Sequence, residues 1–273
     1  MTDRKVRVGN LSFGDKPLVV IAGPCVIESA DHCLKLGEHA RRVCEKLGLG
    51  YVFKASFDKA NRQRLDSPRG PGLDAGLEIL ASIRSQLGVP VLSDIHTPDQ
   101  ASPASAVLDI VQVPAFLCRQ TDLLAAAAAT GKCVNIKKGQ FMAPSQMAHV
   151  VEKVRAAGND RVLLTERGTT FGYGGLVCDM TGFAVMGRWA PVVFDATHSC
   201  QLPAAGGTSG GQREFAPTLT RAAVAAGADA LFVEIHDDPA RAASDAATVW
   251  PADRLEELLL PCAALREIAF NVR

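Results

Sequence analysis

The chain has no surplus of charge: 29 Lys+Arg are matched by 29 Asp+Glu. No net field therefore draws it to nucleic acid or to an anionic membrane, and any basic site must be local. No apolar stretch approaches the length of a membrane span. The opening segment MTDRKVRVGN lacks the apolar run of a secretory signal. The eight cysteines include no CxxC pair, which excludes the usual redox and zinc-ribbon motifs. Without a secretory signal they read as reduced thiols, and the expected compartment is the cytoplasm. No GxGxxG follows an early apolar run, so an open dinucleotide-binding sheet has little support.

What is present is a repeat of short β-branched runs and longer amphipathic stretches. The runs are LVVIAG (18–23), YVFKAS (51–56), VPVLSDI (89–95), DIVQVPA (109–115), CVNIKK (133–138), RVLLTER (161–167), PVVFDATH (191–198) and ALFVEIH (230–236). Helical periods such as CLKLGEHARRVCEKLG, GLEILASIRSQLG and SQMAHVVEKVRAAG lie between them, each ending in the glycine favoured just past a helix. Strands alternating with helices imply a parallel sheet with crossover connections. With 273 residues and 48% hydrophobic composition, the whole chain (1–273) reads as one (β/α)8 barrel, a TIM barrel. An open doubly wound sheet is the runner-up. Residues 5–13 alternate weakly and suggest a small ribbon closing the barrel bottom. The connections at 204–214 and 237–251 exceed usual βα loop lengths, and loops that long are more often functional lids than linkers.

In such barrels the active site is built at the C-terminal ends of the strands. Read in order, those ends deliver Cys25, Lys54 with Lys59 and Arg62 following, Asp94 and His96, Lys137 and Lys138, Arg167, Asp195 and His198, and Glu234 and His236. The cationic subset (Lys54, Lys59, Arg62, Lys137, Lys138, Arg167) is costly to bring together unless a polyanion fills it. Arg suits bidentate contact with phosphate or carboxylate, while Lys acts as a point charge. Any one of these alone reads more simply as a surface charge. Lys137 and Lys138 are strand neighbours, so only one of them is expected in the barrel mouth. A second subset (Cys25, His198, Glu234, Asp245) has the donor types of Zn2+ or another late first-row ion. Spacing does not decide for a metal. Cys25 as a small buried residue, Asp245 as a loop cap and Glu234 as a solvated acid fit the sequence too. Cys200, two residues past His198, is a decoy ligand by position. His32, His39 and His149 fall in helical stretches and read as satisfied surface residues. Cys33, Cys44, Cys133 and Cys262 read as packing, and Cys118 and Cys178 have no identifiable partner.

The stretches IAGPCVIES, YVFKASFDKANR, RGPGL, SDIH, QVPAFLCRQTDL, NIKKGQF, ERGTTFGY, VVFDATHS and FVEIHDDP closely resemble the 3-deoxy-D-manno-octulosonate 8-phosphate synthase family, from about residue 18 to the final helix. The resemblance implies a (β/α)8 barrel, usually a homotetramer. It implies an enzyme that joins phosphoenolpyruvate to D-arabinose 5-phosphate with loss of phosphate, for lipopolysaccharide synthesis. It also implies that Lys59, Lys137 and Arg167 hold phosphoenolpyruvate, with Lys54 nearby and the backbone at Ala115 approaching its phosphate. Asn61 and Arg62 would receive the pentose phosphate, with Arg119 from a neighbouring subunit, and Asp94 and Gln112 would line the same mouth. Lys54, Lys59, Asp94, Lys137, Arg167 and His198 are thus expected at the reacting centre. Family members with Cys at the position of Cys25 depend on a metal, and those with Asn there do not. Cys25, His198, Glu234 and Asp245 would then hold one divalent ion (Zn2+, Fe2+ or Mn2+). The nearest rival, a 3-deoxy-D-arabino-heptulosonate 7-phosphate synthase, typically carries KPR where this chain has KANR. A metal-dependent class II aldolase is a rival of another reaction class.

Overall fold

The structure is a computed structural model, and it describes residues 5–62, 64–170, 174–202 and 210–271. A hairpin of β1 (Val6–Val8) and β2 (Leu11–Phe13) precedes the first barrel strand, β3 (Val19–Gly23). There follow α1 (Ala30–Lys46), β4 (Gly50–Lys54), α2 (Leu73–Leu87), β5 (Val91–Asp94), α3 (Ala101–Val107), β6 (Ile110–Val113), α4 (Thr121–Ala129) and β7 (Cys133–Lys137). The second half adds α5 (Met147–Ala156), β8 (Val162–Glu166), α6 (Thr181–Met186), β9 (Val192–Asp195), the short pair β10 (Gln201–Leu202) and β11 (Gly210–Gly211), α7 (Ala216–Ala225), β12 (Ala230–His236), β13 (Trp250–Pro251) and α8 (Leu255–Asn271). Strands β3 to β9 pair in parallel and in sequence. Strand β12 pairs with both β9 and β3, which closes the sheet into a (β/α)8 barrel.

Period-two alternation decides what lies inside. One set of parities (Val20, Phe53, Val111, Val134, Leu164, Phe194, Leu231) packs outward under the helices. The opposite set (Val19, Ile21, Val52, Leu92, Ile110, Cys133, Leu163, Val193, Ala230, Phe232) fills the barrel, with Val6, Val8 and Phe13 of the hairpin sealing its lower end. In most of the eight strands the inward row continues upward into a polar side chain: Val52 to Lys54, Leu92 to Asp94, Ile110 to Gln112, Cys133 to Asn135 and Lys137, Val193 to Asp195, and Phe232 to Glu234. All of these polar groups are buried. The same strands that make the core therefore place the chemistry in its upper layer.

Local signals set the helix ends. Ser29 caps α1 by accepting from the His32 amide at 3.1 Å, and Gly88 ends α2 in the left-handed region at φ 64°. At the top of β3, a side chain on Gly23 would meet the Lys54 carbonyl at 2.0 Å, so only glycine lets these two strands approach there.

Candidate functional site

Four of the cations converge in the mouth. Lys54 Nζ donates to Glu234 Oε1 at 2.5 Å and to the Cys25 carbonyl at 2.8 Å, and the Lys54 and Glu234 side chains are 1% and 0% exposed. Lys59 Nζ lies 3.8 Å from the same Glu234 oxygen and donates to Ser56 Oγ at 3.0 Å. Ser56 Oγ in turn donates to Asp94 Oδ1 at 2.5 Å, while His96 Nε2 sits 3.1 Å from Asp94 Oδ2. Lys137 Nζ pairs with Asp195 and stands 3.4 Å above the Phe232 ring, the apolar floor of the site. Arg167 donates through one terminal nitrogen to Gln201 Oε1 at 2.8 Å. Its other terminal nitrogen is buried with no partner among the described residues.

The adjacent lysines divide as strand neighbours must. Lys137 enters the barrel, whereas Lys138 points the other way, fully buried, and donates to the carbonyls of Met142 and Gly168. Lys138 Nζ also lies 3.4 Å from Glu166 Oε1, which accepts from the Arg167 and Gly168 amides at 3.1 and 2.6 Å. This pair fixes the turn that aims Arg167. Across the inner face, Thr165, Asn135 and Gln112 form a hydrogen-bonded ladder, Thr165 Oγ1 to Asn135 Oδ1 at 2.7 Å and Asn135 Nδ2 to Gln112 Oε1 at 2.9 Å.

Three of the second subset, Cys25, Glu234 and Asp245, meet in the mouth, with His198 beside Glu234 but outside that group. Single donor atoms of Cys25, Glu234 and Asp245 lie within 4.8 Å of one another. Cys25 Sγ is 3.1 Å from Asp245 Oδ2, and Ser244 Oγ donates to the same oxygen at 2.9 Å. Gln201 Nε2 donates to Asp245 Oδ1 at 2.6 Å, so Gln201 bridges Arg167 and Asp245. Asp245 holds a left-handed φ of 51°, uncommon for a residue with a side chain and a mark of local constraint. His198 Nδ1 is fixed on Asp195 Oδ2 at 2.8 Å, and its Nε2 lies 3.8 Å from Glu234 Oε2. That Glu234 oxygen is buried without a hydrogen bond among the described residues. A thiol, an imidazole with its far nitrogen anchored by a carboxylate, and two acids (one with an orphaned oxygen) fit a divalent ion of the zinc type.

Burial and neighbours pull the charges in opposite directions. Burial pushes Glu234 up, but Lys54, Lys59, His198 and Lys137 outweigh it and hold the carboxyl well below the usual range. Burial pulls Lys59 down, yet Cys25, Glu234, Asp94 and Asp245 together keep it well above an ordinary lysine. Lys137 and Arg167 are both lowered by burial, only partly offset in each case by Asp195. Burial and then Glu234 push the Cys25 thiol well up.

The remaining expected residues lie at the rim. Arg62 donates to the Pro68 and Ala243 carbonyls, each at 2.6 Å, and to Ser244 Oγ at 2.8 Å. Asn61 and Arg119 are exposed, and Ala115 opens a short 3-10 turn at the top of β6. Cys200 is not at the site, because its thiol turns back to the Ala196 carbonyl at 3.4 Å. Cys33, Cys44, Cys133 and Cys262 are buried packing residues. His32 differs from its expected surface role: it packs against His236, with ring centroids 4.6 Å apart. Of the long connections, 203–209 lie outside the described residues, while 237–251 curls back to deliver Asp245. Ser56, Gln201 and Ser244 were not foreseen. Ser56 shares the parity of Lys54 and is readable on that ground, whereas Gln201 opens the two-residue strand β10 and Ser244 lies in an irregular connection, neither with a periodic signal.

Fold and site together define a (β/α)8-barrel enzyme whose mouth combines a cationic anion pocket with a metal-donor group. The chain matches the model of the DAHP synthetase I family over residues 3–268, and it belongs to that family. It is 54% identical over 273 residues to a 2-dehydro-3-deoxyphosphooctonate aldolase of Desulfosudis oleivorans, covering 98% of each chain. It is also 54% identical over 265 residues to the protein of that name from Koribacter versatilis, covering 96% of this chain and 95% of the relative. With the one from Nitratidesulfovibrio vulgaris the identity is 56% over 248 residues, 90% of this chain and 91% of the relative.

Proposed function

We infer that this enzyme condenses phosphoenolpyruvate with D-arabinose 5-phosphate and water, giving 3-deoxy-D-manno-octulosonate 8-phosphate and inorganic phosphate. The observation that carries the reading is the convergence of Lys54, Lys59, Lys137 and Arg167 beside the Cys25, Glu234 and Asp245 donor group. It occurs in a chain that shares its length with relatives named for the phosphooctonate product.

Lys59, Lys137 and Arg167 hold the carboxylate and phosphate of phosphoenolpyruvate, with Lys54 adjacent and the Ala115 backbone near the phosphate. Support comes from one Arg167 terminal nitrogen, a buried donor with no acceptor among the described residues. Asn61 and Arg62 receive the pentose phosphate at the rim, joined by Arg119 of a neighbouring subunit in a homotetramer. The acceptors now held by Arg62 are neutral, so a dianionic phosphate competes well for its guanidinium. Asp94 and Gln112 line the acceptor side.

In the reaction, C3 of the enol phosphate attacks the aldehyde carbon and water adds at C2. The hemiketal phosphate then loses phosphate by C–O cleavage. The fixed cations screen the donor's charge and hold C3 against the aldehyde, a positioning effect in a water-poor pocket. Asp195 holds the His198 ring so that Nε2 faces Glu234. Cys25, His198, Glu234 and Asp245 would bind one divalent ion, Zn2+, Fe2+ or Mn2+, which supplies Lewis acidity and an anchor for polar substrate atoms. The product serves lipopolysaccharide synthesis in the cytoplasm. A 3-deoxy-D-arabino-heptulosonate 7-phosphate synthase shares the donor and the family, but the KANR loop and the names of the relatives favour the five-carbon acceptor. Mass analysis of the product formed from phosphoenolpyruvate and each aldose phosphate tests the reading. An eight-carbon monophosphate is expected, and a seven-carbon product as the main species overturns it.

A further inference from the structure

Beyond the reaction site, at the C-terminal end of β12, a second group of donors stands unassigned. Glu28 follows β3, His32 lies in the first turn of α1, and His236 ends β12. One ligand-type atom from each lies within 4.8 Å of the others. The two imidazole rings are stacked at a tilt of 56°, and each keeps one nitrogen against Asp237 Oδ1: His32 Nε2 at 3.0 Å and His236 Nδ1 at 3.2 Å. Their other nitrogens, His32 Nδ1 and His236 Nε2, are buried and make no hydrogen bond among the described residues, and His236 is only 6% exposed. Glu28 Oε1 sits 3.3 Å from His236 Nε2. A carboxylate behind two imidazoles, with the free nitrogen of His236 beside a second carboxylate, is the pattern that orients metal-binding histidines.

We propose that Glu28, His32 and His236 form a second divalent-cation site, with Asp237 orienting both imidazoles from behind. Two nitrogens and an oxygen suit Zn2+ or another late first-row ion more than Mg2+ or Ca2+. Asp237 suits the orienting role because Lys35 Nζ occupies its other oxygen at 2.6 Å and leaves Oδ1 to the rings. The Asp238 amide also points at His236 Nδ1, at 2.9 Å. Binding through Nε2 therefore asks Nδ1 to carry the proton and to donate it to Asp237 Oδ1 instead, an exchange of partners that needs no movement of the ring. Glu28 Oε1 accepts from the Ala243 amide at 3.0 Å, two residues before Asp245. An ion here clasps the connection that follows Cys25 to the connection that carries Asp245. Its role is structural, outside the reaction centre.

The test uses the full-length protein, stripped of metal and titrated with Co2+, with bound ion counted and the absorption spectrum recorded. Two equivalents per chain are expected. One should carry a thiolate-to-cobalt charge-transfer band, and the other ligand-field bands alone. Cys25→Ala should lose the charge-transfer equivalent and keep the other. His32→Ala should weaken the thiolate-free equivalent at least tenfold with the charge-transfer band intact. Asp237→Asn should weaken it by about 10- to 100-fold, as the loss of an orienting partner does. Glu28→Gln serves the same purpose should His32→Ala fail to fold by circular dichroism. A single equivalent in the wild type overturns the site, and so does an unchanged second equivalent in both His32→Ala and Glu28→Gln. Two equivalents with no charge-transfer band at all support this site and remove Cys25 as a ligand of the first.

Discussion

Replacing Lys54 with methionine keeps most of the side-chain volume and removes the ammonium 2.5 Å from Glu234 Oε1. Both side chains are almost wholly shielded from water, so the variant strands a buried carboxylate. Breaking one side of a buried pair costs about 3–5 kcal/mol. Lys59 at 3.8 Å, with Lys137 and His198 acting on the same carboxylate, remains as partial compensation and argues for the lower end, about 3 kcal/mol. For a chain of this size each kcal/mol moves the thermal midpoint by about 2–4 °C, so the metal-stripped variant should melt about 6–12 °C below the wild type. The assay is calorimetry at fixed protein concentration, since assembly shifts the midpoint too. In saturating Zn2+ the gap should narrow, because a cation bound at Glu234 replaces the missing charge. A gap under about 2 °C in chelator, or one unchanged by Zn2+, would refute the reasoning.

Arg167→Ala should lower kcat/KM for phosphoenolpyruvate by about 100- to 1000-fold, the loss typical of one preorganised charge-stabilising donor. Steady-state kinetics near those of the wild type would take Arg167 out of the donor site. Chelation should abolish turnover while leaving the far-UV circular dichroism unchanged. Zn2+, Fe2+ and Mn2+ should restore it unequally; full activity after verified metal removal would rule out metal dependence. The imidazole of His96 gives the pH prediction. Burial pulls its pKa down, but Asp94 outweighs that and leaves it raised. The stability it contributes is therefore complete below the unfolded value of about 6.5 and is lost as pH rises through the folded value. His96→Gln should remove that decline from urea midpoints measured between about pH 6 and 9, and an identical decline in the variant would contradict the assignment.

The barrel was legible because its strands obey one rule throughout. Alternation alone sorts Val19 from Val20 and Lys137 from Lys138, and it carries most of the apolar rows into a polar end. The hairpin plug was legible for the same reason: Val6, Val8 and Phe13 keep the inward spacing. The site was legible where it rides on strands and less so where it rides on connections. Gln201 and Ser244 hold Asp245 from a two-residue strand and an irregular connection, and nothing in their neighbours marks them. The partnership of His32 with His236 spans 204 positions and depends on where α1 packs against the end of β12, a tertiary fact without a local signature. Cys200 shows why closeness in sequence makes a decoy. Its closeness to His198 in sequence suggests a ligand, but the turn after β9 sends its thiol back into the core.

The central claim is that the mouth joins phosphoenolpyruvate to a five-carbon aldose phosphate, and the initial rate of phosphate release tests it most directly. The metal-loaded enzyme should release phosphate from phosphoenolpyruvate rapidly with arabinose 5-phosphate, far more slowly with erythrose 4-phosphate, and hardly at all with no aldose. Faster release with erythrose 4-phosphate, or none with arabinose 5-phosphate, would contradict it.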